Sequence, residues 1–208
     1  MPAPRPDWEE VLAFWFGPLS GDLDFPEDRR KLWWAGGEDT DLEIRQRFGA
    51  WVAEALEGGL GTWSESARGR LALVLLLDQF QRCLGRGTPA AFAGDARALS
   101  LCLDGIDCGH DRALRPIERS FLYMPLIHSE DRAVARRCLE TYQALSDEIA
   151  ACGVDAHPDF LSHAQTHADI VLKFGRYPHR NAILGRASRP EEDSFLADGG
   201  PSFGQKRS

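Results

Sequence analysis

The chain has no surplus of basic residues, no paired-cysteine framework and no long apolar run, and each lack removes a class of protein. Its formal net charge of −8 and pI near 5.3 disfavour a protein whose main affinity is for phosphate backbones or anionic lipid, because the long-range field repels both. A local basic pocket is still allowed. The five cysteines, Cys83, Cys102, Cys108, Cys138 and Cys152, are odd in number and show no C-x-x-C spacing. They mostly fall where a helix would place a small apolar residue and read as reduced core thiols, the usage of a cytoplasmic protein. The start of the chain lacks an apolar export segment, and the run Leu71 to Leu77 is far shorter than the roughly 20 residues a bilayer span needs. Neither export nor a membrane anchor is expected.

Chemical signatures are also missing. No G-x-G-x-x-G or P-loop is present, so a nucleotide cofactor of the usual kinds is disfavoured and no cofactor is expected. No G-x-S-x-G elbow or recognisable Cys/His nucleophile motif appears either. No segment alternates convincingly with period two, and no exact internal repeat is found.

What remains is helical. At 208 residues and 43% hydrophobic, the chain can bury one substantial core. The pattern predicts one all-α domain of eight or nine helices over residues 1–198, with a flexible tail at 199–208. Asp7 and Glu10 form a capping box for a first helix stopped by Gly17-Pro18. Pro26 to Trp34 reads as a short second helix, and Asp41 to Leu56 as a longer one. Thr62 and Glu65 make another box, opening a helix whose Leu71 to Leu77 segment is apolar all round, the mark of a central buried element. Asp78, Gln79 and Arg82 extend from its end, where each needs a polar partner.

Thr88-Pro89 restarts a helical segment that reaches Leu103 before Gly105. Pro116 opens the next helix, which Pro125 ends or kinks. Ser129 then caps a long helix with Glu130 and Asp131 in its first turn, and Val134, Cys138, Leu139, Tyr142, Leu145 and Ile149 as its core stripe. Another helix starts at Pro158. Ser188 with Glu191 boxes a short last one ending near Ala197.

On the helix from Pro158, a projection at about 100° per residue gathers Ser162, Gln165, Thr166, Asp169 and Lys173 on a polar arc. His163 and His167 fall opposite, among Phe160, Ile170, Val171 and Phe174. Two histidines at i and i+4 share a face, but a metal needs a third ligand, and without a glutamate at the second position the pattern is weak. No metal is assigned; the plainer account is a core histidine with one satisfied hydrogen bond. The same helix runs into Arg176-Tyr-Pro-His-Arg-Asn181, where Tyr177-Pro178 restricts a backbone carrying two arginines and His179.

Four segments, Leu75-Leu-Leu-Asp-Gln-Phe-Gln-Arg82, Gly87-Thr-Pro-Ala-Ala-Phe-Ala-Gly-Asp95, Glu118-Arg-Ser-Phe-Leu-Tyr-Met-Pro-Leu-Ile-His-Ser-Glu-Asp131 and Lys173-Phe-Gly-Arg-Tyr-Pro-His-Arg-Asn-Ala-Ile-Leu-Gly-Arg186, strongly resemble a bacterial family catalogued as domain of unknown function 924. The resemblance runs from about Val11 to Leu196. It implies an all-helical fold similar to tetratricopeptide-repeat superhelices, although that repeat's own pattern is absent, and it implies no established activity. The family usually reads D-Q-F-P-R-N where this chain has Asp78-Gln-Phe-Gln-Arg-Cys83.

Two functional expectations arise. In the first, the segments converge on one polar pocket for a small anionic ligand. Asp78, Arg82, His128, Arg176, Arg180 and Asn181 bind it, and Glu118, His167 and His179 are candidates for acid–base catalysis, since guanidinium forks suit carboxylate or phosphate and histidine and carboxylate suit proton transfer. In the second, the arginines only cap carbonyls and pair with Asp78, Glu118 or Glu130, and the protein is an interaction scaffold with a protein partner. Neither nucleic acid nor membrane is an expected partner. Trp33-Trp34 leaves both monomer and homodimer open.

Overall fold

The computed structural model describes residues 6–153, 158–201 and 203. Among these, the chain is one all-α domain without strands. Its helices are α1 (Trp8–Phe16), α2 (Arg30–Trp34), α3 (Glu38–Leu56), α4 (Ala67–Val74), α5 (Gln81–Leu84), α6 (Asp95–Asp107), α7 (Pro116–Leu122), α8 (Met124–His128), α9 (Arg132–Ala151), α10 (Phe160–Phe174) and α11 (Pro190–Ala197). A π-helical turn, Leu75–Phe80, joins α4 to α5 without a break. Counting that run once, and α7 with α8 once, gives nine helical runs among the described residues.

Leu71 to Leu77 are fully buried, as an all-round apolar segment requires. The run packs against α1, α3 and α6, with α7 against α4. Phe14, Trp15 and Phe48 crowd around Phe80 at ring separations of 5.1–5.7 Å. Burying such a side chain fully stabilises the fold by about 1.5–3 kcal/mol, so this aromatic knot anchors three elements at once. On the other side α9 and α10 pack along their lengths. They share a smaller cluster of Ala135, Ala168, Ile170, Val171, Phe174 and Tyr177.

The structure moves several expected boundaries, at α4, α9 and α11 because a different residue supplies the cap. The helix of the Leu71 segment starts at Ser66, whose hydroxyl accepts from the Gly69 N–H, and the Thr62–Glu65 stretch is a separate 3-10 turn. Helix α3 begins at Glu38, three residues before the expected Asp41, with Glu38, Asp39 and Asp41 all in its first turn. Helix α9 is capped by Asp131, which accepts from Ala133 and Val134, so Ser129 and Glu130 lie outside it. The helix opened by Pro116 breaks at Tyr123 and restarts as α8, as expected before Pro125. That proline sits in the first turn of α8, where its missing N–H is harmless. For α11 the residues are Arg189 and Glu192, one further than Ser188 and Glu191: the Glu192 carboxylate accepts from the Arg189 N–H at 2.8 Å. Helix α6 runs through Gly105 to Asp107; that glycine leaves room for the Arg70 chain, which a Cβ would approach to 2.7 Å.

The π turn governs how the polar interior is assembled. The Gln81 N–H donates to Leu76 O, five residues back, which re-aims the residues of the turn relative to a regular helix. Such turns are frequent at functional sites. The loop before α6 is seated directly on it: a Cβ at Gly94 would lie 2.1 Å from the Leu77 carbonyl oxygen.

Gly94→Ala should therefore destabilise the protein by about 1–3 kcal/mol, the cost of forcing an atom into a packed contact. Gly49→Ala, inside α3 with only Arg45 Cγ at 4.0 Å, should stabilise it by about 0.5–1 kcal/mol. Urea midpoints at unchanged m-value check both.

Candidate functional site

The π turn delivers Asp78 into the interior with no exposed surface. Its Oδ2 accepts from Gln79 Nε2 at 2.6 Å, and its Oδ1 lies 2.8 Å from His128 Nδ1 and 3.1 Å from Arg82 Nη1. Burial alone would raise its pKa; the Arg82 charge and then His128 outweigh it and hold the carboxyl well below its usual range. An ionised carboxylate only accepts, so the His128 proton sits on Nδ1 and donates to Asp78. The Nε2 edge is then a free acceptor with no partner among the described residues, on a side chain that keeps 16% of its surface exposed. Burial, followed by the Arg82 charge, lowers the His128 pKa, which keeps the ring neutral at pH 7. Helix α8 ends at His128, so its carbonyl is left over from the helix, and Arg180 Nη1 donates to it at 3.1 Å.

Arg82 and Arg180 meet over Asp95 at the start of α6. Arg82 Nη1 donates to Asp95 Oδ1 at 2.8 Å and to the Asp78 carbonyl at 3.0 Å, and Arg180 Nη1 lies 3.6 Å from Asp95 Oδ2. Both guanidiniums lie near the Phe92 ring, at 5.9 and 4.7 Å, and Arg180 also stacks on Tyr177 at 4.6 Å. Three buried polar atoms here have no hydrogen-bond partner: Arg82 Nη2, Arg180 Nε and His179 Nδ1.

The rest of the turn is fully engaged. Arg176 donates through Nε and Nη2 to Glu192 at 2.7 and 2.6 Å, and Nη2 also reaches Ala187 O. Asn181 donates to Glu192 at 3.1 Å and accepts from Arg186 Nε at 3.0 Å. Glu130 accepts from the Tyr177 N–H at 3.0 Å and takes the Arg186 fork on both oxygens. Arg176 and Asn181, expected to touch a ligand, are thus bound up in fixing α11 and the Arg186 loop to α10. Glu118 stands elsewhere. It accepts from Arg68 Nη1 at 2.7 Å and from the Arg115 N–H at 3.0 Å, at the start of α7 and beside the beginning of α4. Ten residues of helix from Arg68 to Asp78, on the order of 15 Å at 1.5 Å each, separate it from the His128 site.

Helix α10 presents the histidines as its periodicity predicts. Ser162, Gln165, Thr166, Asp169 and Lys173 are exposed, His167 is buried and His163 half-buried. The His163 and His167 rings are 4.4 Å apart, and His167 Nδ1 lies 2.9 Å from the His163 carbonyl, so Nδ1 donates and Nε2 is unprotonated. Tyr177 stands 5.9 Å from His167 and 5.3 Å from His179, and Phe203 stacks on His167 at 3.8 Å. Of the expected tail, residues 202 and 204–208 lie outside the described residues. Trp34, 45% exposed, faces Phe121 and His163, whereas Trp33 is buried and donates to Trp15 O. Among the described residues no three His, Cys, Asp or Glu side chains are grouped to hold a metal. A depression of about 550 Å³, lined by Lys173, Glu191, Ser194, Phe195 and Asp198, opens on the polar arc of α10, away from the histidines.

Of the residues expected at the site, Asp78, Arg82, His128, His167, His179 and Arg180 lie in one neighbourhood. Asp95, Phe92, Arg186 and Glu192 join the network without having been expected there. Asp95 and Arg186 end two of the family-like segments, and Glu192 sits three residues after Arg189 at a helix start; these were the available signals.

Burial pushes His167 down to about 3 and His179 to about 4, with the His163 charge and the Arg180 charge as the next causes. Both bases are neutral in the folded chain but protonate when it unfolds below about pH 6.5, so stability is lost as pH falls through that window. Between pH 7 and pH 5 the loss should be on the order of 2 kcal/mol per histidine. The depressed carboxyls of Asp78, Glu130 and Glu192 withdraw their contribution only at lower pH. Urea denaturation of wild type and His167→Phe at pH 7 and 5 checks this: the variant should show a visibly shallower pH dependence.

The family model described as bacterial protein of unknown function (DUF924) matches residues 11–200. A solved structure of a protein of unknown function from Agrobacterium tumefaciens superposes with a TM-score of 0.78 at 34% identity, covering 92% of this chain and 97% of that one. No curated protein matches the chain. No described helix is long and apolar enough to cross a membrane.

Proposed function

This chain belongs to the DUF924 family of bacterial proteins of unknown function, and we propose that it binds a small carboxylate or phosphate against Arg82 and Arg180, with His128 as the acid–base group. The observation that carries this reading is the pair of buried guanidinium donors, Arg82 Nη2 and Arg180 Nε, left without partners beside a histidine whose other nitrogen is held by a buried aspartate. A buried unpaired donor costs about 1–3 kcal/mol, and a ligand oxygen at this place would recover it. The charges of Arg82, Arg180 and Arg186 are matched by Asp78, Asp95 and Glu130. An anion is therefore held by directed donors more than by net field, and its charge favours protonation of His128 on Nε2. That is the state in which the ring acts as an acid toward the bound molecule; the neutral ring acts as a base.

The scaffold reading has less behind it. The central run is enclosed by α1, α3, α6 and α7, whereas a superhelix lines its elements up so that each meets only its neighbours. The five cysteines form no disulfide, in keeping with a reducing cytoplasm.

Calorimetric titration with inorganic phosphate tests the reading. Wild type should bind with proton uptake near neutral pH, seen as a heat that depends on the buffer's ionisation enthalpy. Arg180→Gln should weaken binding roughly 10- to 100-fold, the worth of charge-assisted hydrogen bonds, and His128→Asn should abolish the proton uptake. Arg176→Gln should lower the melting temperature yet leave binding unchanged. Equal binding by wild type and Arg180→Gln would overturn the proposal.

A further inference from the structure

Phe203 lies within a ring of aromatic side chains next to this site. Its ring stacks on His167 at 3.8 Å and 24°, and meets His179 edge-on at 5.2 Å and Tyr177 at 6.2 Å and 85°. Three walls thus surround one planar guest. The walls come from two fixed elements: His167 from the middle of α10, Tyr177 and His179 from the proline-stiffened turn after it. The Tyr177 hydroxyl donates to the Ile127 carbonyl, which locks that wall to α8.

The guest fits less well than the cage. Phe203 is 37% exposed, near the chain's end, and its backbone sits at φ 48°, a region that a bulky residue seldom enters. It also offers only C–H groups to its surroundings, while His179, one of the three walls, has its Nδ1 buried with no hydrogen-bond partner. A cage shaped for a phenylalanine would have no use for that nitrogen. Tyr177 is the wall that the cage shares with the anion site, since Arg180 stacks on the same ring at 4.6 Å.

We propose that His167, Tyr177 and His179 form a binding cage for a planar ring with a hydrogen-bonding edge, which Phe203 fills until such a ring displaces it. The ligand class is a small heteroaromatic or hydroxylated aromatic anion: the ring enters the cage and meets His179 Nδ1, and the anionic group meets Arg180. The anionic half of this description rests on the function proposed above; the ring half stands on the cage alone.

The test uses the full-length chain and its Phe203→Ala variant with four probes: nicotinate, pyridine-3-methanol, cyclohexanecarboxylate and inorganic phosphate. Thermal melts first establish that the variant folds, as expected for a part-exposed residue near the chain's end. Nicotinate and pyridine-3-methanol should each bind Phe203→Ala at least 10-fold more tightly than wild type. Cyclohexanecarboxylate should show no such gain, and phosphate should bind both proteins alike. In wild type the imidazole Cε1 proton of His167 should resonate upfield under the Phe203 ring current, move downfield in the variant, and return upfield when nicotinate binds the variant. If phosphate binds neither protein while pyridine-3-methanol still gains in the variant, the anion reading fails and the cage stands. If neither ring probe gains, or the His167 proton is the same in both proteins, the cage proposal is overturned, whatever phosphate does.

Discussion

An ionised carboxylate with no exposed surface, at the end of the central helix, sets the terms for everything around it. Asp78 comes after seven consecutive fully buried apolar residues, where an unpaired charge would be excluded by its lost hydration. It stays charged because Arg82, His128 and Gln79 each place a hydrogen-bonding group on it. Those partners come from the same helical run and from the end of α8, so satisfying one charge fixes how two parts of the core meet. The π turn is the local device that aims Asp78 this way, and Gly94 allows the following loop to close over it.

From Asp78 the polar contacts continue through Arg82, Asp95 and Arg180 to Glu130, Arg186, Asn181 and Glu192. The two ends differ in kind. Around Glu192 no buried polar atom lacks a partner: Arg176, Arg189 and Asn181 converge on one carboxylate with no exposed surface. Around Arg180 that is not so: Arg82 Nη2, Arg180 Nε and His179 Nδ1 are buried without a partner. The same short turn thus carries a carboxylate lock on its Arg176 side and buried, unpartnered polar atoms beside aromatic rings on its His179–Arg180 side. Proximity in sequence gave Arg176 and Arg180 the same appearance; their partners gave them different work.

Much of the fold could be read from periodicity alone. The all-round leucine run is the central helix because no polar residue marks a solvent face. Helix α10 exposes Ser162, Gln165, Thr166, Asp169 and Lys173 and hides His167 because residues at i, i+3, i+4 and i+7 share a face. Helix starts were less legible. Thr62 and Glu65, Ser129, and Ser188 with Glu191 each had the right chemistry for a cap, but Ser66, Asp131, and Arg189 with Glu192 took the place. Where several cap-forming residues lie within three or four positions, the choice rests on what each must do elsewhere. Glu130 is outside α9 because the Tyr177 N–H and Arg186 hold it.

For the site, the sequence by itself determined the chemical types: aspartate, arginine and histidine at helix ends and a stiff turn, on an acidic all-helical domain. It determined which face of α10 each histidine takes, since helical phase is a property of the chain. Tertiary structure decided the pairings. Glu118 pairs with Arg68 and the Arg115 N–H, about ten residues of helix from Asp78, a separation no local pattern encodes. His128 was raised above His167 and His179 as the acid–base candidate by one contact between residues fifty apart in the chain. Side-chain chemistry is local, but whether a donor is spent or free depends on which distant acceptor the packed core brings to it.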